Sequence, residues 1–132
     1  MIIEPHVNYD KVNQDLKDIL DRVDGIIPID VISGYRSEEY NKKIGGAVDK
    51  DGRSISQHCR GEAADIMPVT ERVSSLFNQI VALGIEFDQL IYEFGDWVHI
   101  SHVTYRQNRF QKLRARKDAE GKTVYEPVED LI

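Results

Sequence analysis

The chain has 132 residues, 41% hydrophobic and 30% charged, with a formal net charge of -6. That fits one soluble domain with one core, has no apolar run long enough to span a membrane, and argues against a nucleic-acid binder. A single cysteine, Cys59, excludes an internal disulfide and a multi-cysteine zinc site, so any metal must be held by histidines and carboxylates.

The first ten residues lack the basic start, apolar stretch and cleavage site of a Sec signal peptide. The chain is therefore expected to be made in the cytoplasm and to need another route out, such as a phage lysis pore. Over residues 9–23, Val12, Leu16, Ile19, Leu20 and Val23 recur at helical spacing, with Asp10 as the expected N-cap and Asp24-Gly25 as the stop. Residues 28–32 read as a buried strand leading into Ser33-Gly34-Tyr35-Arg36-Ser37. Ser37 is placed to cap a short helix reaching Ile44, with Glu38 and Glu39 favoured in its first turn. Residues 45–56 form a loop marked by Gly45-Gly46 and Asp51-Gly52.

Residues 62–67 read as an apolar strand around Asp65, closed by Pro68. Val73, Leu76, Phe77, Ile80, Val81 and Leu83 define a helix face ending at Gly84, with Thr70 a partial cap. Residues 87–92 and 97–103 read as strands joined by the hairpin Glu93-Phe94-Gly95-Asp96. Beyond Thr104 the pattern weakens: residues 109–116 suit a further strand and Glu120-Gly121 a turn. From Thr104 to Asp118 six basic residues stand against one acid, Asp118, and a solvated face is the expected reading. The sum is an α+β domain with a small, mainly antiparallel sheet and flanking helices.

Four stretches point to chemistry. An Asp in the middle of an apolar strand is costly to bury without compensation, and a metal shared with His58 supplies it. Backbone N–H donors to Asp65 would be the plainer alternative. Positions seven apart face opposite sides of an unbroken strand, so the pair requires a kink, which Gly61 permits; the small Ala63 keeps the approach to Asp65 open. His99 lies in a second apolar strand. Alone it would more often be structural, but two histidines and a carboxylate form a catalytic zinc set with the fourth position open. Asp96, three residues before His99, is the preferred general base, and Glu93 in the same hairpin competes with it. Arg36 at a strand end suits an oxyanion donor, and the loop of residues 45–57 suits a cleft wall. Cys59 is read as a small core residue, His102 as exposed, and Tyr92 and Trp97 as sheet packing.

Ser33-Gly34-Tyr35-Arg36-Ser37, Ser-x-His-x-x-Gly-x-Ala-x-Asp from Ser56 to Asp65, and Asp-x-x-His from Asp96 to His99 together resemble the M15 zinc peptidases. The resemblance runs from about Ile32 to Val103. It implies a D-Ala-D-Ala-peptidase-like (hedgehog-like) fold and a single peptidase domain over residues 1–132, its motif-bearing core at 28–103. It also implies Zn2+ held by His58, Asp65 and His99, with Asp96 the catalytic carboxylate and Arg36 stabilising the transition state. Ser56 and Tyr35 are expected to line the substrate site. The implied substrate is a bacterial peptidoglycan stem peptide, cut by water that the zinc activates. Activity as an L-Ala-D-Glu endopeptidase, like phage endolysins, is favoured slightly over D-Ala-D-Ala carboxypeptidase activity. A non-catalytic zinc-binding module is the reading from another class. A monomer is expected.

Overall fold

The computed structural model describes residues 1–129 and 131. In chain order the elements are β1 (Ile2–Ile3), α1 (Gln14–Asp24), β2 (Ile29–Ser33), α2 (Glu38–Lys43), a 3-10 turn (Gln57–Arg60), β3 (Ala63–Pro68), α3 (Val73–Ala82), β4 (Gln89–Glu93), β5 (Trp97–Ser101), β6 (Gln111–Lys117) and β7 (Thr123–Pro127). All seven strands join one sheet in the order β1-β2-β3-β5-β4-β6-β7. The central ladders β2–β3, β3–β5 and β5–β4 are antiparallel, as is β6–β7, whereas β1–β2 and β4–β6 are parallel. The protein is thus α+β, and its sheet is mixed rather than simply antiparallel.

Strand alternation divides the sheet into two faces. Ile29 and Val31 of β2, Ala64 and Ile66 of β3, Leu90 of β4, and Val98 and Ile100 of β5 enter the main core. Leu16, Leu20 and Val23 of α1 and Leu76, Phe77 and Ile80 of α3 meet them there, and all six are completely buried. Each such side chain contributes about 1.5–3 kcal/mol of burial free energy. The helices that build the core therefore cover one face and leave the other free for polar side chains.

Helix α1 starts later than its apolar spacing suggests. Asn13, not Asp10, is the N-cap: its backbone is extended, and its Oδ1 accepts the Leu16 N–H at 2.7 Å. The capping side chain is the one three residues before a backbone donor that would otherwise be orphaned, a criterion that Asp10 fails. Ser37 does cap α2, accepting from Tyr40 N at 3.1 Å. At α3 the N-cap is Arg72, with no side-chain cap bond, and Thr70 lies outside it.

The parallel β4–β6 pairing follows from the connection between β5 and β6. β5 ends at Ser101, beside the start of β4, and residues 102–110 arch over that start to begin β6 at Gln111, opposite Gln89. Asp88 lies beneath the arch, fully buried. Its carboxylate accepts from Arg106 and Arg109 at 2.7 Å each, from the Arg109 backbone at 3.0 Å and from Gln57 Nε2 at 2.9 Å. Burial alone would push the Asp88 pKa up, but the arginine hydrogen bonds outweigh it and hold the carboxyl well below the usual range.

A candidate metal centre on the open face

The site begins with register. Asp65 and His99 are direct partners in the β3–β5 ladder, and His99 is in turn the partner of Ile91, which pairs with Leu113. Ser33 is paired with Asp65 past an irregularity in β2. One transverse row on the open face therefore reads Ser33, Asp65, His99, Ile91, Leu113.

His58 joins this row from outside the sheet. It sits in the 3-10 turn, which Ser56 caps by accepting the His58 N–H at 3.2 Å. Gly61 ends the turn with φ of 70°. A Cβ there would lie 2.0 Å from the Lys11 carbonyl oxygen, so both backbone conformation and space demand glycine. This is the kink that lets His58 and Asp65 converge from positions seven apart.

His58, Asp65 and His99 offer ligand atoms that all lie within 4.8 Å of one another. His99 Nδ1 is 3.0 Å from Asp65 Oδ1, and His58 Nε2 is 3.4 Å from Asp65 Oδ2. His58 Nδ1 lies 2.8 Å from the Gly34 carbonyl. A carbonyl only accepts, so Nδ1 carries the proton and Nε2 presents its lone pair. That Nε2 is buried and has no hydrogen-bond partner among the described residues. An orphaned buried acceptor aimed at a carboxylate and a second imidazole is what a metal ligand looks like without its metal. Ligands about 2.0–2.2 Å from a tetrahedral zinc stand roughly 3.4 Å apart, and the measured separations of 3.4 and 3.0 Å lie at and just below that value. The donor set fits. Burial would raise the Asp65 pKa, but the two imidazoles beside it, His58 and His99, outweigh that and hold the carboxyl well below the usual range.

Arg36 completes the cluster. Its Nη2 donates to Asp65 Oδ2 at 3.4 Å, its Nη1 to Asn41 Oδ1 at 3.2 Å and its Nε to Ser33 Oγ at 3.4 Å. Its backbone N–H bonds the His58 carbonyl at 3.0 Å. Asn41, fully buried, also donates to the Ala47 carbonyl at 3.0 Å and so ties Arg36 to the loop after α2. The polar helix 38–43 gave no sequence signal that singled it out.

A cavity of about 620 Å³ opens over the row, lined by Arg36, Ser56, His58, Asp65, Glu93 and His99 among others. A neighbouring cavity of about 570 Å³ is lined by Tyr35 and shares Arg36, Asp65 and Trp97 with the first. Ser56 lines the first of these spaces and Tyr35 the second. Trp97, expected to be sheet packing only, lines both spaces, whereas Tyr92 packs on Phe77 with ring centroids 6.2 Å apart.

The hairpin carboxylates separate. Phe94 and Gly95 both adopt positive φ, which turns the chain tightly enough for Glu93 to pair with Trp97. Glu93 lines the larger cavity. Burial, with a smaller contribution from Asp65, raises its pKa against the opposing pull of His99. Asp96 is exposed on the hairpin and lines neither of the two cavities. Cys59 is half-buried rather than in the core, and burial pushes its thiol pKa up, away from nucleophilic use. His102 is half-buried rather than exposed, with Nε2 3.3 Å from Asn108 Nδ2.

A model of the family described as Peptidase M15 matches residues 4–101. Neither the search of curated proteins nor that of solved structures gave a match. The match spans most of the chain and holds the whole cluster: the chain belongs to the M15 peptidase family. That membership supports metal-dependent peptidase activity, and His58, Asp65 and His99 form the group able to hold the metal. No helix among the described residues is long and apolar enough to cross a membrane.

Proposed function

We propose that this chain is a zinc peptidase that hydrolyses an amide in the stem peptides of bacterial peptidoglycan. The observation that carries the reading is the buried His58–Asp65–His99 cluster, with its unpartnered His58 Nε2, opening onto a cleft beside a fixed arginine. Two histidines and a carboxylate are a zinc set that leaves one position for substrate or water. When bound, zinc would polarise the scissile carbonyl and bring the pKa of a water molecule down to about 7.

The residues supply the rest. Arg36, held on three sides by Ser33, Asn41 and Asp65, is already oriented to donate to the oxygen that gains charge as the carbonyl becomes tetrahedral. A metal that serves structure alone has no need of such a donor, which argues against the non-catalytic module. A carboxylate of the β4–β5 hairpin takes the proton from the attacking water and passes it to the leaving amine. Motif order gives this role to Asp96; cavity lining gives it to Glu93. Ser56 and Tyr35 are proposed to flank the bound peptide.

The two cavities meet at Arg36, Asp65 and Trp97, so a peptide chain has room on both sides of the cluster. That favours cleavage inside the stem, between L-Ala and D-Glu, over removal of a terminal D-Ala. The test is digestion of purified peptidoglycan by the zinc-loaded protein, with products identified by mass spectrometry. New L-Ala carboxyl ends paired with free D-Glu amines support the endopeptidase. Free D-alanine supports the carboxypeptidase instead, and no chelator-sensitive product from several wall types would leave the metal-binding module.

A further inference from the structure

The basic strip expected to be a solvated face splits in two. Lys112 pairs with Glu129, and Arg116 with Glu126, on the surface. Arg106 and Arg109 instead fold over Asp88 and line the cleft, together with Arg60 and Tyr105. Both lie outside residues 4–101, the stretch matched by the family model.

Three guanidinium groups therefore meet at one end of the cleft. The acids they pair with are Asp88 and Glu62, the latter 4.0 Å from Arg60, so three guanidinium groups share two carboxylates. Asp88 does not exhaust the donors. Arg106 Nε and Arg109 Nη1 donate to no group among the described residues. The side chains of Arg60 and Arg109 keep about half their surface exposed, 55% and 49%. Asp88 itself fixes the two arch arginines with charge-assisted bonds, which preorganises them.

The position is also defined. Asp88 precedes Ile91 by three residues, and Ile91 is the ladder partner of His99. At about 3.3 Å per residue the arginine end lies about 10 Å along β4 from the metal row. That span holds one or two extended residues plus a hydrogen bond to a guanidinium. The opposite end is lined by Glu93, Trp97 and Tyr125, so the cleft is electrically polar along its length.

Resting on the peptidase reading, we infer that Arg60, Arg106 and Arg109 form a carboxylate-recognition subsite. It selects peptides with a free carboxylate within two residues of the scissile amide and orients them along the cleft.

The probe is N-acetyl-L-Ala-D-Glu with its γ-carboxyl blocked as the methylamide, paired with the same peptide as its α-carboxamide. Binding to the zinc-loaded full chain is measured by calorimetry, and hydrolysis is followed alongside. The acid is expected to bind about 10- to 100-fold more tightly than the amide. Arg60→Ala and Arg109→Gln, which leave Arg106 to pair Asp88, each cut that ratio several-fold. Lys112→Ala, from the same strip but on the surface, leaves it as it was. Equal binding of acid and amide overturns the subsite, as does a preference that both arginine variants retain or that Lys112→Ala also removes. Acid preference without metal-dependent cleavage would count against the peptidase reading and for the subsite. Cleavage without preference would do the reverse.

Discussion

Asp65 and His99 face each other directly across the β3–β5 ladder, with Oδ1 and Nδ1 3.0 Å apart. Two proposed ligands are thus fixed by sheet register, and a one-residue slip would send one of them into the core beside Ile66 or Val98. Only His58 depends on a local device, the 3-10 turn closed by Gly61.

Metal binding should stabilise the fold. A ligand at 100 times its dissociation constant adds about 2.7 kcal/mol, which for a chain of this size raises Tm by roughly 8–10 °C. Calorimetry with and without zinc should show that rise in the native protein and little of it in Asp65→Asn.

Gly61→Ala should be severe for a glycine substitution. The left-handed backbone costs about 1–2 kcal/mol for alanine, and the collision with the Lys11 carbonyl adds to that because backbone must move. A loss of at least about 3 kcal/mol in urea unfolding is expected, with weakened zinc affinity as His58 shifts. A loss under 1 kcal/mol would show that the turn can relax.

The hairpin carboxylates make opposite predictions. If Glu93 transfers the proton, Glu93→Gln lowers kcat about 100-fold or more while Asp96→Asn changes it little; if Asp96 does, the pattern inverts. Zinc content of both variants should remain at the native level, which separates a lost base from a lost metal.

Asp88 should make the fold acid-sensitive. Its folded pKa is depressed, so its contribution is complete above the unfolded value of about 3.9 and is lost as pH falls through the folded one. Asp88→Asn leaves two arginines without their counter-ion. It should cost about 3 kcal/mol at pH 7, the low end for a broken buried pair because both arginines keep contact with water. The gap between native and variant stability should shrink steadily below pH 4.

The metal-capable cluster was largely legible because its residues lie in short, ordered motifs, where glycine and strand alternation fix direction. His58, Asp65, His99 and Arg36 could be named before their distances were known. The edges of the sheet were not legible. β1 is two residues long, and β7 mixes polar and apolar residues on an edge where one face meets water, so neither carries a periodic signal. Arg106 and Arg109 looked like any charged surface because their partner, Asp88, is reached only through the arch that follows β5. Asn41 was hidden for the same kind of reason: its importance lies in what it holds, Arg36 and Ala47, and not in its own surroundings in the sequence.

Reconstitution with zinc tests the central claim most directly. The protein is stripped by a chelator, returned to one equivalent of zinc, and assayed on peptidoglycan beside His58→Ala. The account predicts that hydrolysis disappears on stripping, returns with zinc in the native chain, and fails to return in the variant. Hydrolysis that survives stripping, or that His58→Ala recovers in full, would contradict it.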